Sequence, residues 1–360
     1  MSPAAGQAAV TIDAGAAPAA ETAPALATAP CWALLHSNRA AWAAAKAILA
    51  SAQESIAIEQ FIFSHRGIGL EILDILADRA RQGVRVRLLA DWFGSRPLAA
   101  SAGARALVAA GGEVAIFHPP RGFLRHPSSA FHRLHRKTLI VDGRLLMTGG
   151  SCFAPRMEDW RDTMALIEHE VAAEALAEFD VAWAYAAEGT RPLPVRARAR
   201  APDGRTWSFV VSSPYRQSRG EYDTVLFDRI AHAEHSVILT SPYLVPVGRF
   251  WRVMERATRR GVRVRVMIPA RSDQPLTDIF SFRYARRLLG RGVEVYGYTG
   301  GMMHAKLAAI DGDWAAVGSF NLGIDSIRMN LEGALVSRDR GFHAALLGQL
   351  EADLATSRPL

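Results

Sequence analysis

The pentapeptide Gly-Val-Arg-Val-Arg occurs twice, at residues 83–87 and 261–265, an offset of 178 residues. The same order of elements is predicted around each copy. In the first, a helix over Ala40–Ser51 precedes a strand over Ile56–Phe63, a helix over Ile68–Gln82 that Gly83 ends, and a strand over Val84–Asp91. In the second, a helix over Val225–Ala233 precedes a strand over Ser236–Tyr243, a helix over Phe250–Arg260 that Gly261 ends, and a strand over Val262–Ile268. A chain built twice from alternating helices and strands predicts an α/β fold of two similar halves, each a mixed β-sheet flanked by helices. The halves are expected over 31–186 and 207–360. A basic, Pro-containing linker over 187–206 joins them, and the Ala/Pro-rich stretch 1–30 is expected to be a disordered tail.

Charge narrows the partners. The chain carries 42 basic and 35 acidic residues, a net charge of +7, which favours nucleic acid, phospholipid headgroups or phosphate esters. Two cysteines make no disulfide framework, so a reducing compartment is expected. No apolar stretch has the length of about 18 uncharged residues that a membrane span needs. The first basic residue is Arg39, so no positively charged leader is expected either.

The duplication carries a sharper pattern. His135–Arg136–Lys137 is followed after four residues by Asp142, then by Gly149–Gly150; His304–Ala305–Lys306 is followed after four by Asp311, then by Gly318–Ser319–Phe320–Asn321. Only three of the 42 basic residues are lysine, and two of those three occupy these motifs. A compact ammonium differs from a guanidinium fork in geometry and hydration, so the choice is informative. His and Lys two apart are expected on one side of a strand. Asp-Gly at 142–143 and 311–312 signals a hairpin whose return strand brings the Gly-rich turn beside the histidine. Each copy offers a nucleophile or acid, a cation for phosphate oxygens, and small residues that permit close approach. Two copies facing each other would enclose one phosphodiester.

These residues identify the chain as similar to the phospholipase D superfamily, whose signature is HxKx4D followed by GSxN. It looks most like bacterial cardiolipin synthases of the type without membrane spans. Ser241–Pro242–Tyr243–Leu244–Val245–Pro246, Ile268–Pro269, Tyr296–Gly297–Tyr298 and Gly83–Asp91 through Phe93–Gly94–Ser95 carry the likeness, which covers roughly residues 32 to 350. The resemblance implies two phospholipase D-like halves around one site and a phosphatidyltransferase acting through a phosphohistidine. His135 would be the nucleophile and His304 the general acid and base, with Lys137, Lys306 and Asn321 holding the non-bridging oxygens and Ser319, Gly149 and Gly150 forming the turns. The signature includes Asp142 and Asp311, but their place past the strand ends points to a structural role. The family also uses an acid some 28 residues after each histidine to fix its tautomer. That reading pairs Glu332 with His304 and Asp162 with His135.

The first turn departs from the signature, with Gly150 for the usual Ser and Cys152 where Asn is common. Cys152 is read as a packing residue. No cofactor or metal is expected, since the lysines supply the positive charge and His132 and His135 have no third ligand at a metal-binding spacing. His36, His65, His118, His232 and His235 are given no role. The segment Phe117–Phe131, with Arg121, Phe123 and Arg125, reads equally as a lid or membrane-touching loop and as an ordinary solvated loop. The expected partner is a phospholipid at an anionic membrane surface, with the protein cytoplasmic and peripheral on the inner membrane. Nucleic acid is disfavoured by the duplication, and no protein partner is indicated. Metal-independent phospholipases D and nucleases of the same superfamily are the alternative, and a non-catalytic scaffold is the remote one.

Overall fold

The computed structural model describes residues 31–118, 131–188, 205–214 and 221–360. The 1–30 tail, most of the Phe117–Phe131 segment and most of the basic linker lie outside the described residues. The first half contains β1 (Trp32–Leu35), α1 (Asn38–Ala50), β2 (Ser55–Gln60), α2 (Ile68–Arg81), β3 (Arg85–Asp91), α3 (Ala102–Ala109) and β4 (Glu113–Phe117). It continues through β5 (Arg133–Leu134), β6 (Thr138–Val141), β7 (Leu145–Gly149), β8 (Met164–Glu168) and α4 (Val171–Ala187). The second half opens with β9 (Trp207–Ser212), α5 (Glu221–Ala231), β10 (Ser236–Thr240), β11 (Leu244–Val245), α6 (Gly248–Arg259), β12 (Arg263–Pro269) and α7 (Pro275–Leu289). It closes with β13 (Glu294–Tyr298), β14 (Leu307–Ile310), β15 (Trp314–Gly318), β16 (Leu322–Gly323), α8 (Ile324–Arg328), β17 (Asn330–Ser337), α9 (Arg340–Ala355) and β18 (Ser357–Pro359).

Each half is a mixed sheet, as the alternation predicts. The first runs β1-β8-β7-β6-β2-β3-β4, and its counterpart follows the same order, with β9 beside β17 in place of β1 beside β8. The parallel trio β2-β3-β4 matches β10-β12-β13, and the other pairs within each half are antiparallel, with β5 of the first half added in parallel to β17 at the edge of the second sheet. Gly83 and Gly261 end α2 and α6 at φ of 88° and 87°, where only glycine avoids a Cβ penalty. The strand expected over Ser236–Tyr243 stops at Thr240, because Ser241 turns its hydroxyl onto the Tyr243 carbonyl and Pro242 has no N–H to offer a ladder. β1 and β9 are not predicted from the sequence, having no clear alternation of polar and apolar residues.

Three large apolar clusters form most of the interior, beside a small one of Met267, Tyr298 and Met303. One lies beneath α1–α3, and a second beneath α5–α7. The third is shared by both sheets: Leu134, Ile140 and Phe179 of the first half pack with Phe209, Leu335 and Phe342 of the second. Helices α4 and α9 therefore lie between the sheets. Among the described residues, no helix is long and apolar enough to cross a membrane.

Candidate active site

The halves exchange more than apolar surface. β5 of the first half pairs in parallel with β17 of the second, Arg133 opposite Asn330 and Leu134 opposite Leu331. Reciprocally, Arg161 forms a parallel bridge to Met303. The ladder continues into both motifs: His135 N–H donates to Leu331 O (2.9 Å), and His304 N–H donates to Arg161 O (2.7 Å). Asp91 at the end of β3 steadies the first crossing by accepting from Leu134 N–H at 2.9 Å.

This crossing corrects the expected carboxylate assignment. His135 Nδ1 lies 2.9 Å from both carboxylate oxygens of Glu332, and His304 Nδ1 lies 2.7 Å from Asp162. Each histidine is held by the acid of the other half, not by the acid about 28 residues after it in its own. The physical reason is the pairing register. Each histidine hydrogen-bonds the peptide just before the partner acid, so that acid is the one within side-chain reach.

His135 and Lys137, and likewise His304 and Lys306, fall in extended segments just before β6 and β14, rather than on strands as expected. The direction is still shared. Lys137 Nζ donates to His135 O at 2.6 Å, and Lys306 Nζ donates to His304 O, which keeps each ammonium beside its own histidine. Both lysines are almost wholly buried. Phe61 meets the His135 ring edge-on at 5.0 Å and lies under Lys137 Nζ at 5.3 Å, while Trp160 flanks His304 at 5.3 Å. These aromatic walls are invisible as motifs.

Burial dominates the electrostatics. It lowers the pKa of both histidines, with the nearby lysine charges adding to the effect, and His304 falls to about 4. Burial likewise lowers both lysines, Lys306 to about 7. For Glu332 burial pulls upward, but His135, Lys137 and Ser319 outweigh it and keep the carboxylate ionised. Four side chains serve that carboxylate: His135, Ser319 Oγ, Ser326 Oγ (2.6 Å) and Asn330 Nδ2 (3.3 Å). Ser326 and Asn330 carried no sequence signal. Asp162 has fewer partners, His304 and its neighbour's Thr163 N–H at 2.8 Å.

The glycine at position 150 has a steric reason. A Cβ at Gly150 would lie 2.1 Å from Asp162 Oδ1, so the position matching Ser319 has no room for a side chain. Gly149 and Gly318 are needed for close approach, since a Cβ there would meet Thr163 O at 2.1 Å and Gly333 O at 2.5 Å. Asn321 is buried with an Oδ1 that has no partner among the described residues. Cys152 is buried at the matching position, its thiol pushed up by burial, and its carbonyl accepts from Trp42 Nε1 at 3.1 Å. It packs in the first-half core.

Asp142 and Asp311 stand apart from the site. Each occupies a turn at positive φ, 51° and 53°. Asp142 accepts from the N–H groups of Gln53, Glu54 and Ser55, and Asp311 from those of Glu234, His235 and Ser236. They tie each hairpin to the start of the neighbouring antiparallel strand, β2 or β10. Partial burial raises the pKa of each, and the backbone donors overcome this and lower it. A carboxylate lowered in the folded state stabilises above its unfolded pKa and loses that contribution as pH falls through the folded value. Asp142→Asn or Asp311→Asn is accordingly expected to cost about 1–2 kcal/mol at neutral pH while leaving turnover per folded molecule unchanged. Chemical denaturation beside an activity assay checks this, and a specific loss of turnover would place these aspartates in the chemistry.

The chain belongs to the phospholipase D superfamily: the family described as "Cardiolipin synthase, PLD-like domain" matches residues 46–183 and 226–354. It is 32% identical over 325 residues to a probable cardiolipin synthase of Bacillus subtilis (strain 168), covering 86% of this chain and 63% of that protein. It is also 32% identical over 317 residues to cardiolipin synthase A of Pseudomonas fluorescens, covering 85% of this chain and 65% of that protein. The chain thus spans somewhat less than two thirds of these relatives' length. Among solved structures, the phosphatidylserine synthase of Haemophilus influenzae Rd KW20 superposes with a TM-score of 0.69 at 15% identity, covering 92% of this chain and 87% of that one. At that identity the likeness is one of fold.

Proposed function

We propose that this chain is a phosphatidyltransferase of the cardiolipin synthase type, transferring a phosphatidyl group from one phospholipid to an alcohol such as phosphatidylglycerol. The observation that carries the reading is the pair of buried His–carboxylate dyads, each built across the two halves, with a lysine beside each histidine. The cardiolipin synthase relatives support the substrate class.

In this mechanism Nδ1 of each ring is engaged, so Nε2 is the nitrogen that reacts. His135 Nε2 attacks phosphorus, forming a P–N bond as the P–O bond to the leaving alcohol breaks. The positive charge that develops on the ring is compensated by Glu332, whose four donors hold it in place. His304 Nε2–H protonates the leaving alkoxide, then takes the proton of the acceptor hydroxyl, whose oxygen displaces His135 and restores a phosphodiester. A bound phosphodiester anion favours the charged forms of Lys137, Lys306 and His304, reversing the effect of burial in the free enzyme. The lysines and Asn321 hold the non-bridging oxygens.

The substrate is met at an anionic membrane surface, a reading that the net charge of +7 supports. The cytoplasmic leaflet of the inner membrane fits the two free cysteines.

Lys306 falls to about 7, so above that pH kcat/KM is expected to drop more steeply, the lost ammonium adding to the decline already set by His304 at about 4. A profile flat from about pH 6 to about pH 9 would contradict that role. The direct test offers phosphatidylglycerol vesicles and single-stranded DNA separately, both with EDTA, and reads products by mass spectrometry. Cardiolipin is expected, with no metal requirement. Phosphatidic acid alone would make the protein a phospholipase, and cleaved DNA with untouched lipid would make it a nuclease.

A further inference from the structure

Helix α7 leaves a large apolar surface without a partner among the described residues. Leu276, Ile279 and Phe280 are 76%, 65% and 54% exposed, in a chain whose other large apolar side chains are mostly buried. The helix continues the same stripe with charge. At 3.6 residues per turn, Leu276, Phe280, Arg283 and Arg287 fall on one line, flanked by Ile279 and Arg286. All three arginines are exposed, and none has an ion-pair partner among the described residues. Arg287 stacks over Trp251 at 5.1 Å. The helix's own acid, Asp278, is engaged by Ser272 N–H at 3.0 Å.

The stripe lies close to the reacting groups. On the opposite face of α7, Ser281 Oγ accepts from Leu244 N–H at 3.1 Å. Leu244 pairs in parallel with Leu322, the residue after Asn321. Tyr243 donates to Asp273, just ahead of the helix, at 2.6 Å. Two more large apolar residues are exposed beside strands that carry the site. Phe93 follows β3, whose end holds the His135 segment, and Ile324 follows β16. The duplication supplies an internal control. The matching helix after β3, α3, has eight residues, packs on α2, and exposes only Val108 among its large apolar side chains.

Resting on the phospholipid reading above, we propose that the Leu276–Ile279–Phe280 face of α7, with its Arg283–Arg286–Arg287 collar, docks on an anionic bilayer and sets the active-site mouth against it. The apolar turns enter the headgroup–acyl boundary, and the arginines one to two turns later meet lipid phosphates. The +7 net charge complements such a surface. A nucleic acid would satisfy the arginines but leave the apolar turns in water. A second copy paired through this face would set its arginines against one another.

The test uses the full chain and vesicles of phosphatidylglycerol and phosphatidylcholine, read by co-sedimentation. Leu276→Ser/Ile279→Ser/Phe280→Ser and, separately, Arg283→Glu/Arg286→Glu are each expected to weaken vesicle binding by about tenfold or more. Both should turn over short-chain phosphatidylglycerol below its micelle concentration at the wild-type rate. The Arg283→Glu/Arg286→Glu pair lies on the exposed surface and carries the test if the triple variant does not melt cooperatively. Wild-type vesicle binding by the folded variants would overturn the proposal, as would equal loss on monomeric substrate, or a dimer or DNA complex abolished by them while vesicle binding persists. Vesicle binding by wild type without lipid turnover would instead sink the transferase reading and leave the docking surface standing.

Discussion

Alanine at His135 or at His304 is expected to lower phosphatidyl transfer by about four orders of magnitude, with the cooperative unfolding transition retained. The two losses should differ in kind. A substrate whose leaving group is p-nitrophenolate needs no general acid. With it, His304→Ala should still release one equivalent in a burst, and then stall for want of a base to activate the acceptor. His135→Ala should show no burst, because no P–N bond can form. Undiminished turnover of natural lipid in either variant would sink the two-histidine mechanism, and a burst confined to His135→Ala would exchange the roles.

Glu332→Gln should reproduce the His135 phenotype even though the two residues belong to different halves. The Glu332 carboxylate lies 2.9 Å from His135 Nδ1 and is fully buried, so its loss removes the group that compensates the phosphorylated ring. A cost of about two to four orders of magnitude in kcat is expected, including the burst with the activated substrate. Asp162→Asn should spare that burst and slow the acid-dependent step instead. A double-mutant cycle gives the same information as energy. His135 and Glu332 should couple by about 1–3 kcal/mol, whereas His135 and Asp162 should be nearly additive. The reverse pattern would mean that the dyads are formed within halves. Glu332→Ala adds a stability loss of about 3–5 kcal/mol, because Ser319, Ser326 and Asn330 lose their common acceptor.

The reason that crossing was not legible in the sequence is instructive. Both acids follow a histidine at about the same spacing, and spacing alone pairs each with its own motif. The pairing partner is decided by two short parallel contacts, Leu134 with Leu331 and Arg161 with Met303. Neither is long enough to leave a periodic signal. Local rules worked where local physics decides: Gly83 and Gly261 stop helices at left-handed φ, and Asp142–Gly143 and Asp311–Gly312 turn hairpins with both residues at positive φ. They failed where a tertiary contact sets the outcome. The His-x-Lys segments are extended without being strands of their own half, since their peptides pair with the opposite half. Gly150 reads as a lapse from the signature, yet the Asp162 carboxylate occupies the space that a serine would need. Phe61 and Trp160 wall the two histidines from positions with no motif at all.

The central claim is a phosphatidyl group carried on His135 and released through His304 from the other half. Rapid quenching of His304→Ala after mixing with the activated phosphatidyl substrate, followed by peptide mass spectrometry, tests it most directly. The expected result is one phosphatidyl adduct on the peptide containing His135, absent from the His135→Ala/His304→Ala variant. No adduct on any histidine, or an adduct on a residue of another peptide, would contradict the mechanism.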